Sequence, residues 1–487
     1  MKQSLLIFSL IFLSSLFSSA AIEDSVIRVN STLQGYSPSQ PWEKTSPRKR
    51  RGLGALLSGN RVLTTSQMVA DHIYLELESA DSSERVPAKV IAVDYDANLA
   101  LLAPIGEAGF LEKMTPTSLG SPAKPDDKLT ILQLENNGSS QKTEGIVRSM
   151  ELLSTFVSGR YFLCYEVKAS MQTEGNSFTL PAYREGKLTG LLTSYDAKDQ
   201  ICDILSVDIL SAFLEDAENG SYDGFPSLGV GFSTTEDPYF RKWLKIPDDQ
   251  GGLYVNLVIP DSSAGLAGIK KGDVLLSIGG QKIDRKGYYE HPVYGTLYWT
   301  HLVKGSRKIG EKVSAKVLRD GKIEELAMTL KRPTERLLAS HLFDQAPPFL
   351  IKGGLVFQEL SLPYLKAFGK DWATRAPMNL LDILSNPEDF EEDHRRIVVL
   401  TRVIPTQATI GYERMSNQVV KSVNGQPIAG LPELEKALAQ VSVNGLHEIE
   451  TDDIPYRIYL DQSLTDTVDQ QFKASGLPSL SRTYSVE

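Results

Sequence analysis

A ten-residue pattern, Val274-Leu-Leu-Ser-Ile-Gly-Gly-Gln-Lys-Ile283, returns 145 residues later as Val419-Val-Lys-Ser-Val-Asn-Gly-Gln-Pro-Ile428. Each copy reads as a strand, a tight glycine turn and a second strand. A helical stretch follows each, near Tyr294–Val303 and Leu431–Val441. A strand–turn–strand–helix unit recurring at that distance is the mark of a duplicated α+β domain in the second half of the chain. The first half is different. From Ser25 to Ala217, β-like runs such as Leu53–Leu57, Ile73–Leu77, Ala88–Val93, Lys128–Gln133, Tyr161–Val167 and Leu188–Thr193 alternate with Gly, Asn and Asp turns. Short strands at such close spacing predict an all-β barrel or sandwich. Val207–Ala217 predicts one closing helix, and Glu218–Gly224 a turn-rich linker. Residues 463–487 read as a polar tail with one weak helical segment.

At the N-terminus, Lys2 precedes the apolar run Leu5–Phe17 and the small residues Ser18-Ser19-Ala20-Ala21. This predicts a secretory signal peptide over residues 1–21. An uncleaved anchor is the alternative, although the run is short for the ~20 residues a bilayer needs. Periplasmic or extracellular export follows from this reading. The net charge is −10, which argues against a nucleic-acid binder, because phosphate neutralisation needs a basic face. Two cysteines among 487 residues cannot form a disulfide framework. Six histidines scattered singly show no metal-ligand spacing, so neither a metal nor another cofactor is expected.

Three motifs stand in order in the first half. Gly52-Leu-Gly-Ala-Leu-Leu-Ser-Gly-Asn-Arg-Val-Leu-Thr-Thr-Ser-Gln-Met-Val69 resembles a strand leading to the "LTNAHVV" segment of HtrA/Deg proteases, whose His is the general base. Asp94-Tyr-Asp-Ala-Asn-Leu-Ala-Leu-Leu102 resembles "D…DLALL", whose last Asp orients that base. Gly175-Asn-Ser-Phe-Thr-Leu-Pro181 resembles the nucleophile loop "GNSGGP". The chain therefore resembles the HtrA/Deg family over residues 25–461, and most of all its plant-type branch, which shares Gly224–Val230 and Ile410–Arg414. The resemblance implies a mainly β fold, a trypsin-like double β-barrel (25–217) followed by two PDZ-type α+β domains (222–332 and 346–461) and a tail (462–487).

The departures decide the chemistry. Gln67 stands where the family has His, Asn98 where it has Asp, and Phe178 and Thr179 where it has two glycines. Ser177, the nucleophile equivalent, and Gly175, equivalent to an oxyanion-hole residue, are retained. A serine hydroxyl attacks a carbonyl only if a base takes its proton and a carboxylate holds that base in the right tautomer. An amide at position 67 accepts no proton near neutral pH, so the expectation is a pseudoprotease. His72, five residues past Gln67, is the competing base, but its offset points it elsewhere.

In the first PDZ-type domain, Ser227-Leu228-Gly229-Val230 resembles the loop whose backbone N–H groups capture a terminal carboxylate before the peptide adds as a β-strand. The insertion Tyr288–Tyr294 is aromatic enough to fill that groove or to dock a neighbour. The second domain shows no clear carboxylate loop, and the resemblance implies a role in assembly. Arg48-Lys-Arg-Arg51 reads as a solvated loop, with an anion or processing site as the alternative. Cys164 and Cys202 lie on strands that neighbour each other in trypsin-like barrels, and in an exported chain they could pair. The expected function is binding of unfolded or C-terminal polypeptide by an inert family member. A homo-oligomer built on trimers, or assembly with active paralogues, is the form the resemblance implies. The alternatives are an active serine endopeptidase and a purely structural subunit.

Overall fold

The computed structural model describes residues 22–172, 179–218, 220–305, 307–333, 337–391, 395–440, 444–477 and 479–484. The expected signal peptide, Gly175, Ser177 and Phe178 lie outside the described residues. Among those described, no helix is long and apolar enough to cross a membrane. Contacts divide the chain into two units, one of residues up to Leu33 with Arg48–Thr334, the other of Gln34–Pro47 with Glu335–Glu487.

The first unit begins with two closed barrels. Strands β1 (Val26–Leu33), β2 (Arg48–Leu57), β3 (Arg61–Thr64), β4 (His72–Glu78), β5 (Arg85–Asp94) and β6 (Leu99–Pro104) close in the order β1-β2-β3-β6-β5-β4. Strands β7 (Lys128–Leu134), β8 (Ser140–Ser154), β9 (Tyr161–Lys168), β10 (Leu180–Arg184), β11 (Lys187–Asp196) and β12 (Ile201–Ser206) close as β10-β11-β12-β9-β8-β7. Alternation puts Ile27, Val29, Leu75 and Leu77 inside the first barrel. Gly52 and Gly54 of β2 are needed for close approach: a Cβ on Gly54 would lie 2.5 Å from Val62 Cγ1, and one on Gly52 2.8 Å from Met68 Sδ. The fold is thus mainly β and trypsin-like, as expected.

Arg48–Arg51 belong to β2, which corrects the loop reading. Of these four, Arg51 reaches a buried carboxylate on β4, on the face of the sheet opposite the first barrel's core. Glu78 is fully buried, and Arg51 (3.2 Å), Arg85 (3.3 Å) and the buried Arg28 (3.8 Å) surround it. Asn30 Nδ2 donates to the same carboxylate at 2.5 Å, as does the Ser82 hydroxyl.

The two cysteines are free and buried, which corrects the possible disulfide. Strands β9 and β12 are neighbours, but their register sets Cys202 opposite Val167 and Cys164 opposite Leu205. Three positions of offset along a strand is roughly 10 Å, well beyond the reach of an S–S bond. Burial pushes the Cys202 thiol up to about 12, and Cys164 is shifted in the same direction for the same reason. The non-reduced protein should therefore give two titratable thiols when unfolded and almost none when native. Zero thiols in the unfolded state would mean that the strands slip to allow pairing.

The helix Val207–Ala217 forms as expected and leads to the first PDZ domain. There β13 (Val230–Ser233), β14 (Leu253–Val258), β15 (Val274–Ile278), β19 (Lys312–Arg319) and β20 (Lys322–Thr329) make a sheet in that order, and the short β16 (Gln281–Lys282) pairs with β15. The expected helix over Tyr294–Val303 is mostly absent. Gly295–Tyr298 is instead a strand, β18, hairpinned to β17 (Tyr288–His291), and only His301–Lys304 are helical. Aromatic and β-branched residues with Gly295 in the turn favour that hairpin over a helix.

In the second unit, β22 (Leu355–Glu359), β23 (Val398–Val403), β24 (Gln418–Val423), β26 (Leu446–Thr451) and β27 (Arg457–Asp461) repeat the PDZ sheet, and the short β25 (Gln426–Pro427) pairs with β24. The two copies of the ten-residue pattern occupy β15–β16 and β24–β25, and the helix expected near Leu431–Val441 is observed at Leu431–Ala439. Here the outer edge of β22 is covered by β21 (Phe349–Lys352), which in turn pairs with β28 (Ser481–Arg482). The tail expected to be weakly helical carries a helix of 13 residues, Gln462–Ala474, started by Asp461, whose side chain accepts from Leu464 N.

Candidate functional site

The triad-equivalent residues meet on the first barrel. After β3 the chain makes a single tight turn, Ser66–Met68, that presents Gln67, half-buried. The turn before β6 brings Asn98 beneath it with φ +58°, a left-handed conformation that Asn tolerates. Asn98 is fully buried, and its Oδ1 accepts from Gln67 N (3.1 Å) and from Ser66 Oγ (3.2 Å). Those two donors fix the orientation of the amide. Its Nδ2 is left buried with no partner among the described residues.

That orientation carries chemical consequences. In a Ser-His-Asp triad the carboxylate accepts a hydrogen bond from imidazole Nδ1–H, which leaves Nε2 free to take the serine proton. Asn98 directs its acceptor at the backbone, as a carboxylate would, and has N–H2 left where the second acceptor is needed. An imidazole at position 67 facing that donor would be driven to the wrong tautomer. Gln67 itself has no basic atom. His72 opens β4 with its Nδ1 2.8 Å from Val69 O, a contact within its own turn.

The motif keeps two carboxylates, and both are bound elsewhere: Asp96 pairs with Arg160 at 3.3 Å, and Asp94 is buried. It accepts from Ala97 N at 2.6 Å and from the hydroxyl of Tyr222, in the linker, at 2.6 Å. Burial holds its carboxyl above the ordinary range, against those hydrogen bonds. Position 67 is also tied to a cation: Arg50 Nη1 donates to Gln67 O at 2.5 Å. Sequence reasoning gave no signal for either contact, since both cross from one segment to another.

Of the nucleophile loop, Thr179 is described. It keeps a glycine-like φ of +96°, rare and strained for a β-branched residue. Its Oγ1 lies 2.5 Å from Thr65 Oγ1, and its carbonyl accepts from Leu53 N at 3.2 Å. The loop exit is therefore anchored to the barrel that carries Gln67.

The second candidate surface is the edge of β13. Ser227 bridges Lys331, and Ser263 Oγ donates to Ser227 O at 2.5 Å. Leu228 O accepts from Ala264 N, and Gly229 O from Ile259 N. Because Gly229 O is bonded there, the pair Val230–Val258 is a non-hydrogen-bonded one, so Val230 turns its N–H and C=O away from β14. Gly229 has φ +70°, and a Cβ on it would lie 2.2 Å from Ser262 Cβ. Val230 and Phe232 share one strand face, and the Phe232 ring meets Trp299 edge-on at 4.9 Å. In the aromatic insertion, Tyr294 donates its hydroxyl to Asp208 in the first turn of the helix Val207–Ala217.

Models of the PDZ domain match residues 226–330 and 338–471. The Arabidopsis thaliana protein "Protease Do-like 4, mitochondrial" is 29% identical over 345 residues, 70% of this chain and 65% of that protein. "Protease Do-like 2, chloroplastic", also from Arabidopsis thaliana, is 27% identical over 421 residues, 85% of this chain and 68% of that one. The chain spans about two thirds of the length of these relatives. A solved structure described as "HtrA-type protease AlgW with decapeptide" covers 65% of this chain and 98% of its own at 19% identity, with a TM-score of 0.49. Residues 226–330 and 338–471 are thus PDZ domains, and over most of its length the chain is similar to these Do-like proteases.

Proposed function

We propose that this chain is a catalytically inert HtrA/Deg protein that holds unfolded or C-terminal polypeptide segments on its first PDZ domain, in an exported compartment. The observation that carries the reading is the amide pair Gln67–Asn98, in which Asn98 Oδ1 is taken by Gln67 N and Ser66 Oγ and the pair supplies neither a base nor an acceptor for one. The open edge at β13 supports the binding half. A carboxylate placed against the loop Ser227–Val230 would meet the outward N–H of Val230, and its strand would continue along β13. The same reading takes residues 25–217 as the protease-like domain and 222–332 and 346–461 as the PDZ domains. An assembly of like chains or with active paralogues is the expected form.

Main-chain pairing dominates such capture, so a peptide with an apolar C-terminal residue should bind the full-length protein near the micromolar range, about −8 kcal/mol. Amidating that C-terminus should weaken binding, because no charge remains for the N–H groups. Gly229→Pro should abolish it: proline holds φ near −65° where the chain needs +70°. Equal binding of free-acid and amidated peptides would remove the carboxylate-capture reading and leave a scaffold.

A further inference from the structure

The hairpin β17–β18 is hydrogen-bonded to no other strand among the described residues, and a small polar cluster ties it to the helix Val207–Ala217. Tyr294, at its turn, is buried and donates to Asp208 in the first turn of the helix Val207–Ala217. The His291 ring stacks on Tyr294 with centroids 4.7 Å apart, and His301 stands edge-on to His291 at 5.3 Å. The His291 imidazole acts as an acceptor. His291 Nδ1 receives Val293 N and Tyr294 N, each at 3.2 Å, which closes the turn that aims Tyr294 at Asp208. His301 Nδ1 lies 2.5 Å from the Tyr289 hydroxyl, and a Cβ on Gly305 would come within 2.2 Å of its ring, so that ring has no room to turn.

We propose that this hairpin is an acid-released latch, in which protonation of His291 turns an acceptor into a donor facing two backbone N–H groups and so frees the hairpin from the helix Val207–Ala217. Adding a proton to His291 Nδ1 sets it against Val293 N–H and Tyr294 N–H, and the turn 291–294 must open. Tyr294 then leaves Asp208.

The groups facing the pair are Asp208 from the helix, Tyr165 from β9, and Tyr289 and Tyr294 from the hairpin. Lys304, on the turn after His301, instead lies over the Phe162 ring at 4.8 Å. Burial lowers both histidines, His301 to about 4, and Asp208 is the charge that partly offsets this for His291. The docked state therefore binds fewer protons than the released one, and its stability is full above the ordinary histidine pKa of about 6.5 and falls as pH drops below it. Asp208 works the other way. Burial raises its carboxyl, so its protonation favours docking, in the more acid range above its ordinary value of 3.8.

Hydrogen exchange of the full-length protein, corrected for the intrinsic pH dependence of amide exchange, tests this. At pH 5.5, one unit below the ordinary histidine pKa, amides of 288–298 should lose protection relative to pH 7.5, by at most about tenfold for the one proton on His291. Those of β7–β12 should not. His291→Gln offers an acceptor that does not titrate. It should keep the protection at pH 7.5 and remove that loss. Unchanged protection in the native protein at pH 5.5, or a full loss in H291Q, would overturn the latch. If that variant does not fold, ring nitrogen shifts of the native protein decide: His291 protonating near pH 6.5 with the hairpin still protected would be equally fatal.

Discussion

Purified protein incubated with β-casein should leave it uncut, with turnover about 10⁴–10⁶ below that of an intact Ser-His-Asp protease. Two separate losses make this expectation strong. Gln67 cannot take the serine proton, and Asn98 is held by Gln67 N and Ser66 Oγ so that an N–H2 group points where a base would have to be oriented. Restoring only His at position 67 leaves that second fault, and the revertant Gln67→His should remain near background. The double revertant Gln67→His/Asn98→Asp repairs both, yet Phe178 and Thr179 still replace the glycines of the nucleophile loop. Thr179 holds its φ of +96° only by means of the surrounding contacts. Loss of a single oxyanion donor costs about 10²–10³ in turnover, so the double revertant should stay at least that far below an intact protease. Casein cleavage by the native protein that disappears in Ser177→Ala would sink the inert reading. Vigorous cleavage by the double revertant would show instead that the loop is sound and that only the base was missing.

Glu78→Gln should destabilise the first unit by about 3 kcal/mol, toward the low end of what breaking a buried ion pair costs. Arg28 is only 2% exposed and would be left with its charge buried, while Arg51 and Arg85 reach solvent and lose less. Burial by itself would raise the Glu78 carboxyl. The hydrogen bonds from Ser82 and Asn30 and the cations Arg51 and Arg85 more than reverse this and hold it below the ordinary range. A carboxylate lowered by folding contributes stability above its unfolded pKa, near 4.5, and that contribution disappears as pH falls through the folded value. Urea midpoints of the native protein and the variant should therefore separate at pH 7 and converge in acid. A difference under about 1 kcal/mol at pH 7 would mean that the cluster is solvated in practice, as exposed pairs are.

Much of the fold could be read because its signals are local. Gly52 and Gly54, the strand alternation and the helix Val207–Ala217 depend on neighbours within a turn or a strand. The triad-equivalent positions were legible because motif order places Gln67 after β3 and Asn98 before β6. What escaped depends on pairing across distance. No spacing in the sequence indicates that Arg28 and Glu78 meet on the outer face of a barrel, that Asp94 is taken by Tyr222, or that Cys164 and Cys202 sit three positions out of register. The stretch Tyr294–Val303 was misread for a related reason. Its helical appearance came from the neighbouring repeat, and the hairpin partner Tyr288–His291 overrode it.

One apolar core runs from the second barrel through Phe225 of the linker into the first PDZ domain, taking in Phe162, Leu302 and Val303. The Phe162 and Phe225 rings meet edge-on at 4.9 Å within it. The boundary that looks like a hinge in the sequence is thus an interior. A cut there would turn close-packed side chains into wetted surface on both pieces, and neither fragment would keep the shape it has in the whole. For the same reason, a methylene added or removed on one side is felt by the other, so the barrel and the first PDZ domain are free to vary only together.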